Sequence, residues 1–170
     1  QRVQSFFNLY HMRKEVLTIE QKAIIQMISE ERRLDEYYLS GGTALSAYHF
    51  HHRFSEDLDF FTAQQPDVNF LHTFAGYIKK ELKTEEFRYK RLYDRNLFFF
   101  PLHGEELKME FTLYPFPSLK KPLKKDGVPI DSLEDLAANK VFTILERFDP
   151  KDFVDLYFLF QHVLMPHTKQ

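Results

Sequence analysis

Apolar and polar positions recur with two different periods along this chain, and each change of period marks an element. From about Thr18 to Leu34, Ile19, Ala23 and Met27 with the neighbouring Ile24 and Ile28 form a helical stripe, and Thr18 with Gln21 fits a capping box. Tyr37-Tyr38-Leu39 predicts a short strand, Ser40-Gly41-Gly42-Thr43 a turn, and Ala44 to about His52 a helix. Asp57-Leu58-Asp59-Phe60-Phe61 reads as a second strand, stopped by Pro66-Asp67. Asp67 caps a helix to about Lys83, with Phe70, Phe74, Ile78 and Leu82 on one face. Phe87–Tyr93 and Asn96–Pro101 predict two strands joined at Asp94-Arg95. The clearest alternation is Leu107, Met109, Phe111 and Leu113 against Lys108, Glu110 and Thr112, a half-buried strand.

A Pro- and Lys-rich loop, 115–130, follows. Two helices end the chain, about 132–148 and 150–163, the first capped by Asp131 or Ser132 and the second opened by Asp149-Pro150. The expected fold is α/β (α+β), a small mixed sheet with flanking helices plus C-terminal helices. Residues 1–114 form its α/β core with the N-terminal helix. Residues 115–170 form a basic loop and a helical part packed with it as one unit.

Composition narrows the chemistry. The 170 residues suffice for a core that buries roughly 70% of the unfolded surface. With no Cys, disulfide scaffolds, thiol catalysis and Cys-ligated metal centres are excluded. A net charge of -2 argues against binding nucleic acid by bulk charge, though not against a local patch. Such a patch is offered by Lys79, Lys80, Lys83, Arg88, Lys90, Arg91 and Arg95, or by the lysines of the 115–130 loop, unless these are an ordinary solvated face. The 19 Phe and 9 Tyr fall mainly on core faces, leaving Phe61, Tyr89 and Tyr93 as candidates for base stacking. No run approaches the ~20 apolar residues of a membrane span. No apolar run with a small-residue cleavage site follows the polar N-terminus, so the expected location is cytoplasmic, with no membrane partner.

Asp57 and Asp59 stand two apart on a predicted strand, so both carboxylates share one face while Leu58 and Phe60 enter the core. Paired carboxylates repel unless a cation joins them, and hard oxygen ligands suit Mg²⁺ or Mn²⁺. Glu110 lies opposite the apolar face of its own strand. If the two strands are neighbours, it becomes the third metal ligand, in the arrangement that two-metal nucleotidyl transfer requires. The bland alternative is a solvated Asp-x-Asp. Gly41 and Gly42 join a strand to a helix start, where close backbone approach and free N–H groups suit phosphate, and Ser40 and Thr43 add hydroxyls. A plain tight turn is the alternative.

Lys140 and Arg147 fall at the edge of the stripe formed by Leu133, Ala137, Val141, Ile144 and Phe148. They either turn their charges into a cleft toward nucleotide phosphates or snorkel around the core edge. Arg53 either contacts a triphosphate or a cleft carboxylate, or lies on the surface. His49 and His51 do not share a helical face, which argues against a zinc site.

Leu39-Ser40-Gly41-Gly42-Thr43-Ala44-Leu45 and Arg53-Phe54-Ser55-Glu56-Asp57-Leu58-Asp59-Phe60-Phe61 resemble the first motifs of the AbiEii/AbiGii toxin family of nucleotidyltransferases, within the DNA polymerase beta-like superfamily. Asp135-Leu136, Lys140, Arg147 and Lys151-Asp152-Phe153-Val154-Asp155-Leu156 resemble its later signature, so the likeness runs from about 37 to 160. It implies a nucleotidyltransferase-like fold, a Gly turn that binds triphosphate and paired Asp residues that bind Mg²⁺. It further implies that Asp152 belongs to the catalytic set with Asp57, Asp59 and Lys140, and that Arg53 and Arg147 belong to the nucleotide site. The implied activity moves an NMP from an NTP to a hydroxyl of RNA, such as a tRNA end, or of protein. The implied role is the toxin of a toxin–antitoxin or phage-defence system, with a cognate antitoxin. A catalytically inactive nucleotide-binding module of the same fold and a sugar-nucleotide-dependent transferase are the alternatives.

Overall fold

The computed structural model describes residues 16–146 and 148–164. Helix α1 (Ile19–Glu30) opens with the expected capping box: Gln21 N–H donates to Thr18 Oγ1 at 3.1 Å, and Thr18 N–H donates to Gln21 Oε1 at 3.0 Å. It ends four residues earlier than the periodicity suggested, passing through a 3₁₀ turn at Arg32–Leu34 into β1 (Tyr38–Ser40). Helix α2 (Gly41–Leu45) starts on the glycines themselves and continues as a π-helical turn over Ser46–Phe50. Next come β2 (Leu58–Thr62) and α3 (Val68–Glu81), capped by the Asp67 carboxylate on the Phe70 N–H at 3.1 Å.

Strands β3 (Arg88–Leu92), β4 (Arg95–Leu102) and β5 (Glu105–Leu113) form an antiparallel meander. The turn between β3 and β4 sits at Tyr93-Asp94, one residue before the expected place, with Tyr93 at φ +51°. That shift moves Arg95 into β4. The loop 115–130 is not bare: it contains β6 (Leu123–Lys125) and β7 (Val128–Ile130), which pair with each other. Helices α4 (Leu133–Glu146) and α5 (Pro150–Leu159) follow, with Pro150 in the first turn of α5 as expected.

All seven strands form one mixed sheet in the order β3-β4-β5-β2-β1-β7-β6. The pairs β2/β5 and β1/β7 are parallel and the others antiparallel. Leu58 and Phe60 of β2 and Met109 and Phe111 of β5 are fully buried on one face. Ile24, Ile25 and Ile28 of α1 and Leu71, Phe74 and Ile78 of α3 complete that core. Alternation therefore assigned the strand faces correctly. In α4 the expected stripe held in part: Leu133 and Ala137 pack against the core, but Val141 is 50% exposed, whereas Lys140 is 7% exposed and Leu136 is buried. Phe148, just beyond α4, is 84% exposed. Ion pairing, described below, is what draws Lys140 inward. Among the described residues no helix is long and apolar enough to cross a membrane.

Phe111 has ring neighbours on three sides, Tyr37 at 5.2 Å, Phe60 at 5.6 Å and Phe98 at 6.2 Å between centroids. Phe111→Ala empties the centre of the core and is expected to cost about 3–5 kcal/mol, measured by urea unfolding.

Candidate active site

The parallel pairing of β2 with β5 sets Asp59 directly beside Glu110 and Leu58 beside Met109. The apolar partners face the core, so the carboxylates face the other way. Asp57, just before β2, joins them. Above this face α2 begins on Gly41, whose φ of +67° suits glycine. A Cβ there would lie 2.5 Å from Asp59 Oδ2, so the missing side chain lets Asp59 sit against the turn. A Cβ on Gly42 would lie 2.4 Å from Arg53 Nη2. The turn and the carboxylates line a cleft of about 420 Å³, with Lys140 and Asn139 of α4 among its other walls. Phe61 and Tyr114 stack at 5.1 Å along it.

Two cations that sequence reasoning did not assign to the site hold the carboxylates in place. Lys108 Nζ lies 3.0 Å from Asp57, 3.5 Å from Asp59 and 3.6 Å from Glu110. Arg95 grips Glu110 with two N–H donors at 2.5 and 2.7 Å, and the Thr112 hydroxyl donates to it at 2.6 Å. Lys108 was detectable, because it sits two residues before Glu110 in the alternating strand. Arg95 was not, because the misplaced turn left it outside β4. Burial raises the Asp59 pKa to about 6, with Lys108 pulling the other way. Burial also works against the charged form of Glu110, but the Arg95 and Thr112 hydrogen bonds prevail and its pKa is lowered.

The three carboxylates that this ammonium reaches within 3.6 Å are hard oxygen donors, the ligand chemistry of a divalent cation such as Mg²⁺ or Mn²⁺. Among the described residues, no three acidic or imidazole side chains are gathered closely enough to hold an ion as they stand; at this face Lys108 lies among the three carboxylates.

The two hydroxyls expected to meet phosphate are engaged elsewhere. Ser40, buried, donates to Asp131 Oδ2 at 2.7 Å. Thr43, also buried, donates to the Asp57 backbone carbonyl and so ties α2 to the carboxylate strand. Tyr89 packs its ring on His72 and Phe98 and donates to Asn96, so it is not at the cleft.

Lys140 neither snorkels nor hangs free. Its Nζ lies 2.6 Å from both Asp152 and Asp155 of α5. Asp155, fully buried, also takes two donors from Arg53 at 2.6 and 2.7 Å and pairs with His52 Nε2 at 2.7 Å. The Asp152-Asp155 pair is thus an internal anchor as well as part of a helix start, and Arg53 reaches the Gly42 turn from it. Arg147 lies outside the described residues.

The family described as "Nucleotidyl transferase AbiEii toxin, Type IV TA system" matches residues 23–169. The uncharacterized protein aq_aa25 of Aquifex aeolicus (strain VF5) is 34% identical over 152 residues, covering 87% of this chain and 68% of that protein. Two Helicobacter pylori crystal structures share the fold at 24% identity over 85% of this chain: JHP933, TM-score 0.64, and a protein assigned as a nucleotidyltransferase, TM-score 0.65. The chain spans 64% and 66% of those two chains' lengths, just under two thirds.

Asp155 generates a prediction of its own. Burial opposes its charge, but the Arg53 and His52 hydrogen bonds and the Lys140 charge hold its pKa well below the usual carboxylate range. A depressed pKa contributes stability above the unfolded value of about 3.9, and that stability is lost as pH falls through the lowered folded value. Asp155→Asn is expected to cost about 3–5 kcal/mol at pH 7, because Arg53 loses its carboxylate and Lys140 one of its two while both stay largely buried. In urea unfolding the gap to wild type should persist down to about pH 4 and narrow only below it.

Proposed function

The chain belongs to the AbiEii nucleotidyl transferase toxin family, and from that premise we propose that it is a metal-dependent nucleotidyltransferase. It moves an NMP from an NTP to a hydroxyl acceptor. The acceptor oxygen bonds to the α-phosphorus, the bond to the β-phosphate oxygen breaks, and pyrophosphate and a proton are released. The observation that carries this reading is the meeting of Asp57, Asp59 and Glu110 around one cation, against a glycine turn and opposite Lys140.

Asp57, Asp59 and Glu110 would hold Mg²⁺ or Mn²⁺. Such an ion, when bound, neutralises triphosphate charge and polarises the reacting oxygens. The chain's own residues supply the rest. Gly41 and Gly42 let the triphosphate approach the backbone closely, without a Cβ in the way. Lys140 meets its negative charge from the far wall. Asp152, which the resemblance puts in the catalytic set, lies 2.6 Å from Lys140 Nζ and with Asp155 positions that ammonium. Arg53 is held by Asp155 against Gly42 and adds positive charge behind the turn. Arg147 joins the nucleotide site on the family resemblance alone. Phe61 and Tyr114 offer an aromatic edge to the base.

The family description supports a toxin of a type IV toxin–antitoxin system with a cognate antitoxin. We propose RNA, in particular a tRNA end, as acceptor, and the cytoplasm, where NTPs and tRNA are abundant, as the location.

Purified protein with Mg²⁺, labelled NTPs and total RNA is expected to transfer label to RNA. Asp57→Asn or Asp59→Asn should lower that rate on the order of 100-fold or more while the protein stays folded by circular dichroism. NTP binding without transfer from any of the four would support a nucleotide-binding module instead, and turnover of UDP-sugars but not NTPs a sugar-nucleotide transferase.

A further inference from the structure

We infer that Lys108 is a built-in counter-cation of the carboxylate face and competes with the divalent ion for the same oxygens. The inference rests on the metal reading of Asp57, Asp59 and Glu110 given above.

The two cations at this face have different jobs. Arg95 is planar, lies at the rim with its side chain 47% exposed, and spends two N–H donors on Glu110. Its fork fits one carboxylate and fixes it in place. Lys108 is a compact point charge on a flexible stem. Its side chain is 20% exposed, and its ammonium reaches a different oxygen-bearing group in each of three directions, Asp57, Asp59 and Glu110. It is therefore the group that bridges all three carboxylates.

The remaining valences of Glu110 sharpen the point. Its Oε1 accepts from Arg95 and Thr112, and its Oε2 accepts from Arg95. Oε2 is also the Glu110 oxygen that Lys108 approaches, at 3.6 Å. A divalent ion reaching all three carboxylates with Lys108 in place would meet the ammonium at contact distance, so Lys108 has to yield. Without the ion it does useful work: three negative charges face two positive ones, which leaves a single uncompensated charge. Free divalent ion consequently binds weakly. Binding strengthens when an anionic nucleotide enters the cleft with the ion and gives the displaced ammonium a new partner. Lys108 acts through the ligands and is a positioning residue in this sense.

The test is Mn²⁺ alone, titrated calorimetrically into metal-free full chain: wild type, Lys108→Met, Lys108→Gln and Asp59→Asn. Both Lys108 variants are expected to bind Mn²⁺ about tenfold tighter than wild type or more, since a like charge next to the ion is removed. Without metal they should melt below wild type, and Mn²⁺ should raise their melting temperature further than it raises that of wild type. Equal or weaker Mn²⁺ binding by both variants, with Asp59→Asn losing it, overturns the counter-cation role and leaves the metal site standing. No Mn²⁺ binding by wild type or by either Lys108 variant, or unchanged binding by Asp59→Asn, overturns the metal reading and the inference with it. Lys108→Gln keeps a polar group of similar length, so a fold defect in Lys108→Met alone does not blur the result.

Discussion

Three carboxylates on one sheet face repel each other, by about 4 kcal/mol per pair at 4 Å and an effective dielectric of 20. Nothing in β2 or β5 alone would choose that arrangement. It is forced from behind. Leu58, Phe60, Met109 and Phe111 are fully buried on the opposite face. A slip of one residue between the two strands would exchange core and carboxylate faces along the whole strand. The hydrophobic register therefore holds Asp59 beside Glu110, and Lys108 and Arg95 make the resulting charge tolerable. Glycine at position 41 removes the last obstacle, since any side chain there would strike Asp59.

A second charge centre closes the cleft from the other side. Asp155 on α5 gathers Lys140 from α4 and His52 and Arg53 from the segment between α2 and β2. Burying a carboxylate is expensive unless its partners are close and well aligned, and here every partner lies within 2.7 Å. One side chain thus couples the C-terminal helices to the glycine turn, and Thr43 couples the turn to the backbone of Asp57. The two walls of the cleft are joined through buried polar contacts that have few alternative pairings.

Local pattern carried much of this into the sequence. Alternation put Asp57, Asp59 and Glu110 on one face because period two survives in any half-buried strand. The capping box of α1 and Asp67 at the head of α3 were legible because caps are local. What was not legible depends on contacts between residues far apart in the chain. Lys140 is separated from Asp155 by a turn and Arg53 from it by most of the chain, and such pairs leave no periodic trace. Their effect rotated the buried face of α4: Leu133 and Ala137 of the expected stripe pack against the core, but Val141 is exposed and the ion-paired Lys140 goes inside. Ser40 looked like a phosphate donor because its partner, Asp131, lies beyond the intervening sheet and loop. The strand pairs β6 and β7 were hidden by short length within a Pro- and Lys-rich stretch.

The central claim is that the carboxylate face, the glycine turn and Lys140 form one nucleotide-binding centre. A crystal of the protein soaked with Mn²⁺ and a non-hydrolysable NTP, with data collected at the manganese edge, tests it most directly. The account predicts an anomalous peak bounded by Asp57 and Asp59, triphosphate density against Gly41 and Gly42, and Lys140 facing the phosphates. Manganese away from those carboxylates, or a nucleotide bound outside this cleft, would contradict it.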